Sequence, residues 1–204
     1  MPTPPPPTVV IFVRHGQTPS TGKVLPGRAA GLALADKGQQ QAQGVADHLR
    51  DSKNIAAIYA SPLQRTRETA APIGKALGMK VTTERGLLEC DFGEWTGASL
   101  AKLRKLPEWK AVQRNPSGFR FPGGESFAEM QTRMTTTVDK LRAAHPGKTV
   151  IAVSHADPIK AAAAAALGVP LDLFQRIDIS PCSLTVIMYG QEGPFVHCVN
   201  RTVS

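Results

Sequence analysis

Val9-Val10-Ile11-Phe12-Val13 runs directly into Arg14-His15-Gly16-Gln17-Thr18. The first five residues form an unbroken apolar run rich in β-branched side chains, the pattern of a strand buried on both faces. Runs of the same kind recur at residues 55–60, weaker because of its alanines, and at 149–153 and 184–189. Residues 195–199 read as an edge strand, turned back through Gln191-Glu192-Gly193-Pro194. Helical patterns fall between the strands. Residues 34–50 set Ala42, Val45, Ala46 and Leu49 on one stripe. Ser61-Pro62 reads as an N-cap with proline at the first helical position, opening a helix to Leu77. Ser126 and Glu129 make a capping box ahead of Phe127, Met130, Met134, Val138 and Leu141, and His145-Pro146-Gly147 stops that helix. Asp157-Pro158 reads as the cap of a last helix that runs through alanines to Leu167-Gly168. This alternation predicts an α/β fold: a three-layer αβα sandwich with a mostly parallel central sheet.

The chain has 204 residues, 42% hydrophobic and 20% charged, which suits one domain with a sizeable core. Pro2 and Pro4 to Pro7 mark residues 1–8 as a disordered, Pro-rich leader, with a single domain over residues 9–204. That leader holds no Lys or Arg, so it does not read as a secretory signal. No apolar run approaches the ~20 residues of a membrane span. Cys90, Cys182 and Cys198 are odd in number and contain no Cys-x-x-Cys pair, which argues against a disulfide framework or zinc site and for a reducing cytoplasm. A cysteine-based anion-binding loop needs Arg six residues after the Cys; Thr96, Met188 and Ser204 stand there instead. A net charge of +8 favours anionic partners. Aromatic residues are 5% of the chain and not interleaved with the basic ones, which argues against nucleic acid. Homo-oligomer formation stays open.

Ligands of parallel α/β sheets collect outside the carboxyl ends of the strands. Arg14-His15-Gly16 follows the first strand, Ser61-Pro62-Leu63-Gln64-Arg65 the second, and Ser154-His155-Ala156-Asp157 the third long one. Each histidine or arginine alone would more simply be a structural or surface residue. Two of each sharing one sheet edge describe a site for a tetrahedral oxyanion such as phosphate. Arg65 also sits in a first helical turn, where free amides favour an anion. Asp157 is a helix cap by position; His155-x-Asp157 could ligate a metal, but no further cluster supports that reading.

The motif Arg14-His15-Gly16 resembles the signature of the histidine phosphatase superfamily, which includes the cofactor-dependent phosphoglycerate mutases. Later motifs of that family are matched in order by Leu34…Gly38…Gln41-Ala42, Ser61-Pro62-Leu63…Arg65-Thr66…Thr69-Ala70, Glu89…Gly93-Glu94-Trp95…Gly97, Pro122-Gly123-Gly124-Glu125-Ser126 and Val153-Ser154-His155. The resemblance covers residues 9–189 and implies a phosphoglycerate mutase-like fold. It implies that His15 is the nucleophile and carries the phosphoryl group, that Arg14, Arg65 and His155 hold its oxygens, and that Glu89 is the proton donor, with no metal and no cofactor. Gln17, Thr18, Thr21 and Ala156 join Arg14 and Arg65 in the expected substrate site. Glu94 competes with Glu89 for the acid role, and the family-like spacing to Gly93, Trp95 and Gly97 selects Glu89. Trp95 reads as a packing residue. Thr21 stands where the family often has Asn, Ala35 where Thr is frequent, and Ala156-Asp157 where glycines are common.

The partial burial expected for Glu89, after Leu87-Leu88, would raise its proton affinity. Neighbouring arginines would keep His15 unprotonated, so a neutral nucleophile meets a dianionic ester. Sixty-five residues separate Glu89 from His155, fewer than the mutases of this superfamily generally carry, which favours a phosphatase acting on small phosphate esters. A phosphomutase and a non-catalytic phosphate-binding module are the alternatives. Between Leu100 and Arg120, six basic residues face Glu108 alone. They form either a lid that steers acidic substrates or a solvated helix face with Leu100, Leu103 and Leu106 turned inward.

Overall fold

Strand β1 (Thr8–Arg14) has no polar face to offer water, and both of its faces are covered. The computed structural model describes residues 5–203. Among them lie six strands: β1, β2 (Ile55–Ala60), β3 (Val81–Thr83), β4 (Thr149–Ser154), β5 (Leu184–Gly190) and β6 (Gly193–Arg201). They form one mixed sheet in the order β3-β2-β4-β1-β5-β6. The pairings β1–β4, β2–β4 and β2–β3 are parallel; β1–β5 and β5–β6 are antiparallel.

The helices are α1 (Asp36–Leu49), α2 (Gln64–Leu77), α3 (Leu100–Leu103), α4 (Pro107–Arg114), α5 (Phe127–Ala144) and α6 (Ala156–Leu167). Alternation along the central strands divides the core in two. Val13, Ile58, Ile151 and Val153 pack with Ala42, Val45 and Leu49 of α1 and Ala70 and Ile73 of α2. Val10, Phe12, Val150 and Ala152 point the other way, onto Met134, Val138 and Leu141 of α5 and Ile159 and Ala162 of α6. These are the three expected layers. Each fully buried aliphatic side chain here contributes roughly 1.5–3 kcal/mol, so the stripes on α1 and α5 are sufficient to fix which face each helix presents. A third cluster joins Phe92, Trp95, Phe121, Phe127 and Phe174 to Leu103 and Val112, and anchors α3 and α4.

Parallel register places the functional edge. Val13 pairs with Val153 and Arg14 with Ser154, while Ala60 pairs with Val153 on the other side of β4. The chain therefore leaves β1, β4 and β2 at one level, with His15 N–H donating to the Ser154 carbonyl and Ser61 N–H to the Val153 carbonyl (both 3.0 Å).

Several sequence-based boundaries move. Residues 1–4 of the expected leader lie outside the described residues; Pro5 to Pro7 are exposed, but Thr8 already belongs to β1 and is buried. α2 opens at Gln64 with Leu63 at its N-cap, so Ser61-Pro62 is not the cap. α6 opens at Ala156 with His155 at the N-cap, which places Asp157 inside the first turn, ion-paired with Lys160 at 3.6 Å. The Ser126–Glu129 capping box of α5 is present as expected. β3, too short to show a pattern, is an addition. Leu103 is turned inward and Leu106 is 38% exposed, so the reading of this segment as a solvated helix face holds for the first and not for the second. Trp95 is buried in packing. Cys90, Cys182 and Cys198 are free thiols. No helix among the described residues is long and apolar enough to cross a membrane.

Candidate active site

His15 is 5% exposed, at the exit from β1. Its loop lies hard against the start of α1. A Cβ on Gly38 would stand 2.0 Å from the Gln17 carbonyl oxygen, and one on Gly16 would stand 2.5 Å from the Gly38 carbonyl oxygen. Only paired glycines allow this approach. The Gln17 amide donates to Gln41 Oε1 (2.9 Å), the Gln17 carbonyl accepts from Ala35 N–H (2.9 Å), and the Gly16 amide donates to Thr69 Oγ1 (3.0 Å). The loop is thus held by both α1 and α2.

These contacts orient the imidazole. His15 Nδ1 lies 2.8 Å from the Gly16 carbonyl oxygen. A carbonyl only accepts, so Nδ1 carries the proton and Nε2 keeps a free lone pair. Burial, then the charges of Arg65 and Arg14, hold the His15 pKa well below the ordinary histidine value. The residue is a neutral imidazole whose tautomer leaves Nε2 unprotonated.

Arg65 is fully buried. Its Nη2 donates to the Gly27 carbonyl (2.8 Å) and to His155 Nδ1 (3.1 Å), while Nε and Nη1 have no hydrogen-bond partner. Arg14 donates through Nη1 to the Ile179 carbonyl, and its Nε is likewise buried without a partner. Buried guanidinium N–H groups without acceptors are costly. Three such nitrogens on two neighbouring arginines make a cationic cradle.

His155 is fully buried, its ring edge-on to that of His15 at 5.2 Å between centroids. Because Nδ1 accepts from Arg65, Nε2 carries the proton and donates to Ser61 Oγ (2.9 Å). Burial, followed by Arg65 and the His15 ring, pushes its pKa far down as well. Ser61, read from the sequence as a helix cap, is instead a partner of this histidine. Ala156 begins α6, so its amide has no intrahelical acceptor.

Glu89 is 7% exposed. One carboxyl oxygen accepts from Cys90 N–H (3.0 Å) and the other lies 4.0 Å from His155 Nδ1. Burial and then Asp157 raise its pKa to about 7, against the lowering pull of Arg65, the Cys90 hydrogen bond and Arg14. Glu94, the competing candidate, is exposed. Thr18 is buried, and Thr21 accepts from its amide (2.9 Å) and shares a hydroxyl contact with it (3.0 Å). Thr21 therefore organises the loop after Gln17. Among the described residues no group of three or more His, Cys, Asp or Glu side chains is gathered as a metal site would need.

His15, Arg14, Arg65, His155 and Glu89 are thus brought together; Gln17, Thr18 and Thr21 belong to the loop that follows His15, and Ala156 follows His155 at the start of α6. The sequence reading missed Ser61, Arg28, Glu125 and Arg133. Arg28 and Arg133 both donate to the Glu89 carbonyl (2.9 and 3.4 Å). Ser61 carried a usable signal, its place at a strand's carboxyl end; the two arginines carried none. The assembly can bind an oxyanion, attack it with a neutral nitrogen and supply a proton near neutral pH.

The model of the histidine phosphatase superfamily (branch 1) matches residues 10–202. Phosphoserine phosphatase 1 of Hydrogenobacter thermophilus is 33% identical over 198 residues, 95% of this chain and 92% of that protein. A bifunctional protein of Mycobacterium tuberculosis is 31% identical over 198 residues, 96% of this chain but 54% of that protein, so the chain spans about half the length of that relative. Among solved structures, mycobacterial glucosyl-3-phosphoglycerate phosphatase superposes with a TM-score of 0.85 at 25% identity, over 95% of this chain and 99% of that one. Phosphoserine phosphatase of Entamoeba histolytica, in complex with 3-phosphoglyceric acid, gives a TM-score of 0.85 at 26% identity, over 96% and 98%.

Proposed function

The chain belongs to the histidine phosphatase superfamily, and from that premise we propose that it is a phosphomonoesterase that hydrolyses small phosphate esters through a phosphohistidine on His15. One observation carries the reading. Arg65 Nε, Arg65 Nη1 and Arg14 Nε are buried without acceptors beside an imidazole whose tautomer leaves Nε2 unprotonated. A phosphoryl group supplies the missing acceptors and presents phosphorus to the free nitrogen.

In the first half-reaction the Nε2 lone pair forms the N–P bond and the ester P–O bond breaks. The leaving alkoxide is a poor leaving group, and Glu89 gives it a proton. Arg14 and Arg65 stabilise charge on the phosphoryl oxygens in the transition state. His155 joins them by exchanging its Ser61 partner for the anion. Nδ1–H, donated to the Gly16 carbonyl, spreads the positive charge of the N-phosphorylated ring. In the second half-reaction a water oxygen attacks phosphorus, Glu89 takes its proton, and the N–P bond breaks to give inorganic phosphate. This route assigns no step to a metal. The exposed Lys102, Arg104, Lys105, Lys110 and Arg114 on and around α3 and α4 favour substrates with additional negative charge.

Incubation with p-nitrophenyl phosphate and, separately, 3-phosphoglycerate, following inorganic phosphate and 2-phosphoglycerate, tests the reading. Phosphate release that disappears in His15→Ala supports it. Formation of 2-phosphoglycerate without phosphate release would make the protein a mutase, and neither product would leave only a binding module.

A further inference from the structure

Glu89 lies in neither a helix nor a strand. It is in a strap between the 3₁₀ turns Arg85–Leu87 and Gly93–Trp95. Backbone carbonyls in such a buried segment need donors from elsewhere. Arg133, on α5, supplies most of them: Nη1 donates to the Gly86 and Leu88 carbonyls (2.7 and 2.9 Å) and Nη2 to that of Glu89 (3.4 Å). Arg28 donates through Nε to the same Glu89 carbonyl (2.9 Å). Glu125 ties the two guanidiniums together. It accepts from Arg133 Nε (2.8 Å) and Nη2 (2.9 Å) and from Arg28 Nη2 (3.1 Å), and it also accepts from the Asp91 amide (3.2 Å). Its side chain is 13% exposed, so this is a sheltered, bidentate network rather than a surface pair.

Arg28 has a second connection. The preceding residue, Gly27, accepts from Arg65 Nη2 through its carbonyl (2.8 Å). Gly27 has φ +50°, and a Cβ there would stand 2.8 Å from Thr96 Oγ1 and 3.2 Å from Phe92 Cδ2, so only glycine fits the approach. Residues 27 and 28 therefore touch both the phosphate cradle, through Arg65, and the backbone that carries the Glu89 carboxyl.

We propose that Arg28, braced by Glu125 and Arg133, is a positioning residue that sets the Glu89 carboxyl at the leaving-group oxygen and couples its position to the Arg65 cradle. The proposal rests on the reading of Glu89 as proton donor. Arg28 bonds the Glu89 carbonyl, Glu125 and, at 3.3 Å, Asp91. A residue that merely supports the fold would lower all activities together when removed. One that aims the acid lowers them in proportion to the leaving group's need for a proton.

The test compares Arg28→Met, Arg28→Lys, Glu89→Gln and the double variant Arg28→Met/Glu89→Gln. Substrates are p-nitrophenyl phosphate, whose phenolate leaves without much help, and β-glycerophosphate, whose alkoxide needs a proton. Expected is a loss of kcat on β-glycerophosphate at least tenfold greater than on p-nitrophenyl phosphate for Arg28→Met, and a smaller discrimination for Arg28→Lys, which keeps the charge and one donor nitrogen but not the guanidinium fork. Arg28→Met should add nothing to that discrimination in the Glu89→Gln background. Equal losses on both substrates for Arg28→Met, with Glu89→Gln still discriminating, overturn the proposal and leave the acid role intact. Failure of Glu89→Gln to discriminate overturns the acid role and the proposal with it. If Arg28→Met does not fold by circular dichroism, Arg28→Lys decides: discrimination supports the proposal and its absence overturns it.

Discussion

Replacing Glu89 by Gln tests the electrostatics of the site without any substrate. Gln keeps the volume and the oxygen that accepts from Cys90 N–H, and removes only the titration. Burial and Asp157 lift the Glu89 pKa from 4.5 to about 7. Such a rise corresponds to roughly 3 kcal/mol between the protonated and charged forms. The sign follows from linkage: a raised folded-state pKa contributes stability that is fully present below the unfolded value and is lost as pH rises through the folded one. Wild type and Glu89→Gln should therefore differ little at pH 4.5. The variant should gain relative to wild type between pH 4.5 and 7, and the gap should then level off near 3 kcal/mol, or roughly 6–12 °C in Tm for a chain of this size. Scanning calorimetry of both proteins at matched pH values reads the difference directly, because His15, His155 and the arginines are common to both and cancel. Activity on an alkyl phosphate should not follow that window: it should fall only as pH rises through about 7, where Glu89 of the folded protein loses its proton. A Tm difference that stays constant from pH 4.5 to 8 would refute the claim that this carboxyl is held protonated by its surroundings.

His15→Ala should reduce turnover of p-nitrophenyl phosphate by three orders of magnitude or more while circular dichroism stays unchanged, since the proposed nucleophile is removed and no core residue is. Inorganic phosphate at a hundred times its Kd should stabilise wild type by about 2.7 kcal/mol; Arg65→Met should remove that response, which thermal shift measurements will show. Gly38→Ala would gain about 1 kcal/mol from helix propensity alone, but its Cβ meets the Gln17 carbonyl oxygen at 2.0 Å, so the expected result is lower Tm and lower activity together. Incubation with EDTA followed by gel filtration should leave the rate on p-nitrophenyl phosphate unchanged, and metal-dependent recovery of a lost activity would require a different mechanism.

The parts of this protein that were legible in the sequence are those where one local pattern has one physical outcome. Val9 to Val13 admits no exposed face, so it forms a central strand, and the residues after it fall at the sheet edge whatever the helices do. The same logic located Arg14, His15 and His155 before any contact was known. Arg65 followed from its place just beyond the second strand. Misreadings arose where two local patterns compete. Ser61-Pro62 has the composition of a helix start, but Ser61 is also the first residue beyond β2, and there its hydroxyl meets His155 Nε2 while the helix waits until Gln64. Asp157 has the composition of a cap, but His155 occupies that position because the chain leaves β4 straight into α6. The network around Glu89 was illegible for a different reason. Arg28 and Glu125 are 97 residues apart, and neither has a hydrophobic period or turn chemistry to betray its partner. Glu125 was visible only as part of the Pro122 to Ser126 motif, with no indication of what it holds.

The arginines of the cradle perform two tasks that oppose each other, and the geometry of His15 reconciles them. In the free site Arg65 and Arg14 disfavour a proton on the imidazole and so keep Nε2 nucleophilic. A bound phosphate dianion neutralises those charges, and by itself would raise the proton affinity of His15 when the lone pair is needed. Two features work against that outcome. Desolvation, the largest cause of the lowered pKa, persists because the ring stays buried when the anion arrives. The second is the tautomer: Nδ1 already carries the one proton of the neutral ring and donates it to the Gly16 carbonyl. Any additional proton must go to Nε2, the position that faces phosphorus in the proposed reaction. Phosphorylation and protonation therefore compete for one lone pair, and the ester that fills the cradle also covers that nitrogen. On this argument the Nδ1–Gly16 hydrogen bond is as necessary to the nucleophile as the guanidiniums are, because a flipped ring would offer phosphorus an N–H in place of a lone pair.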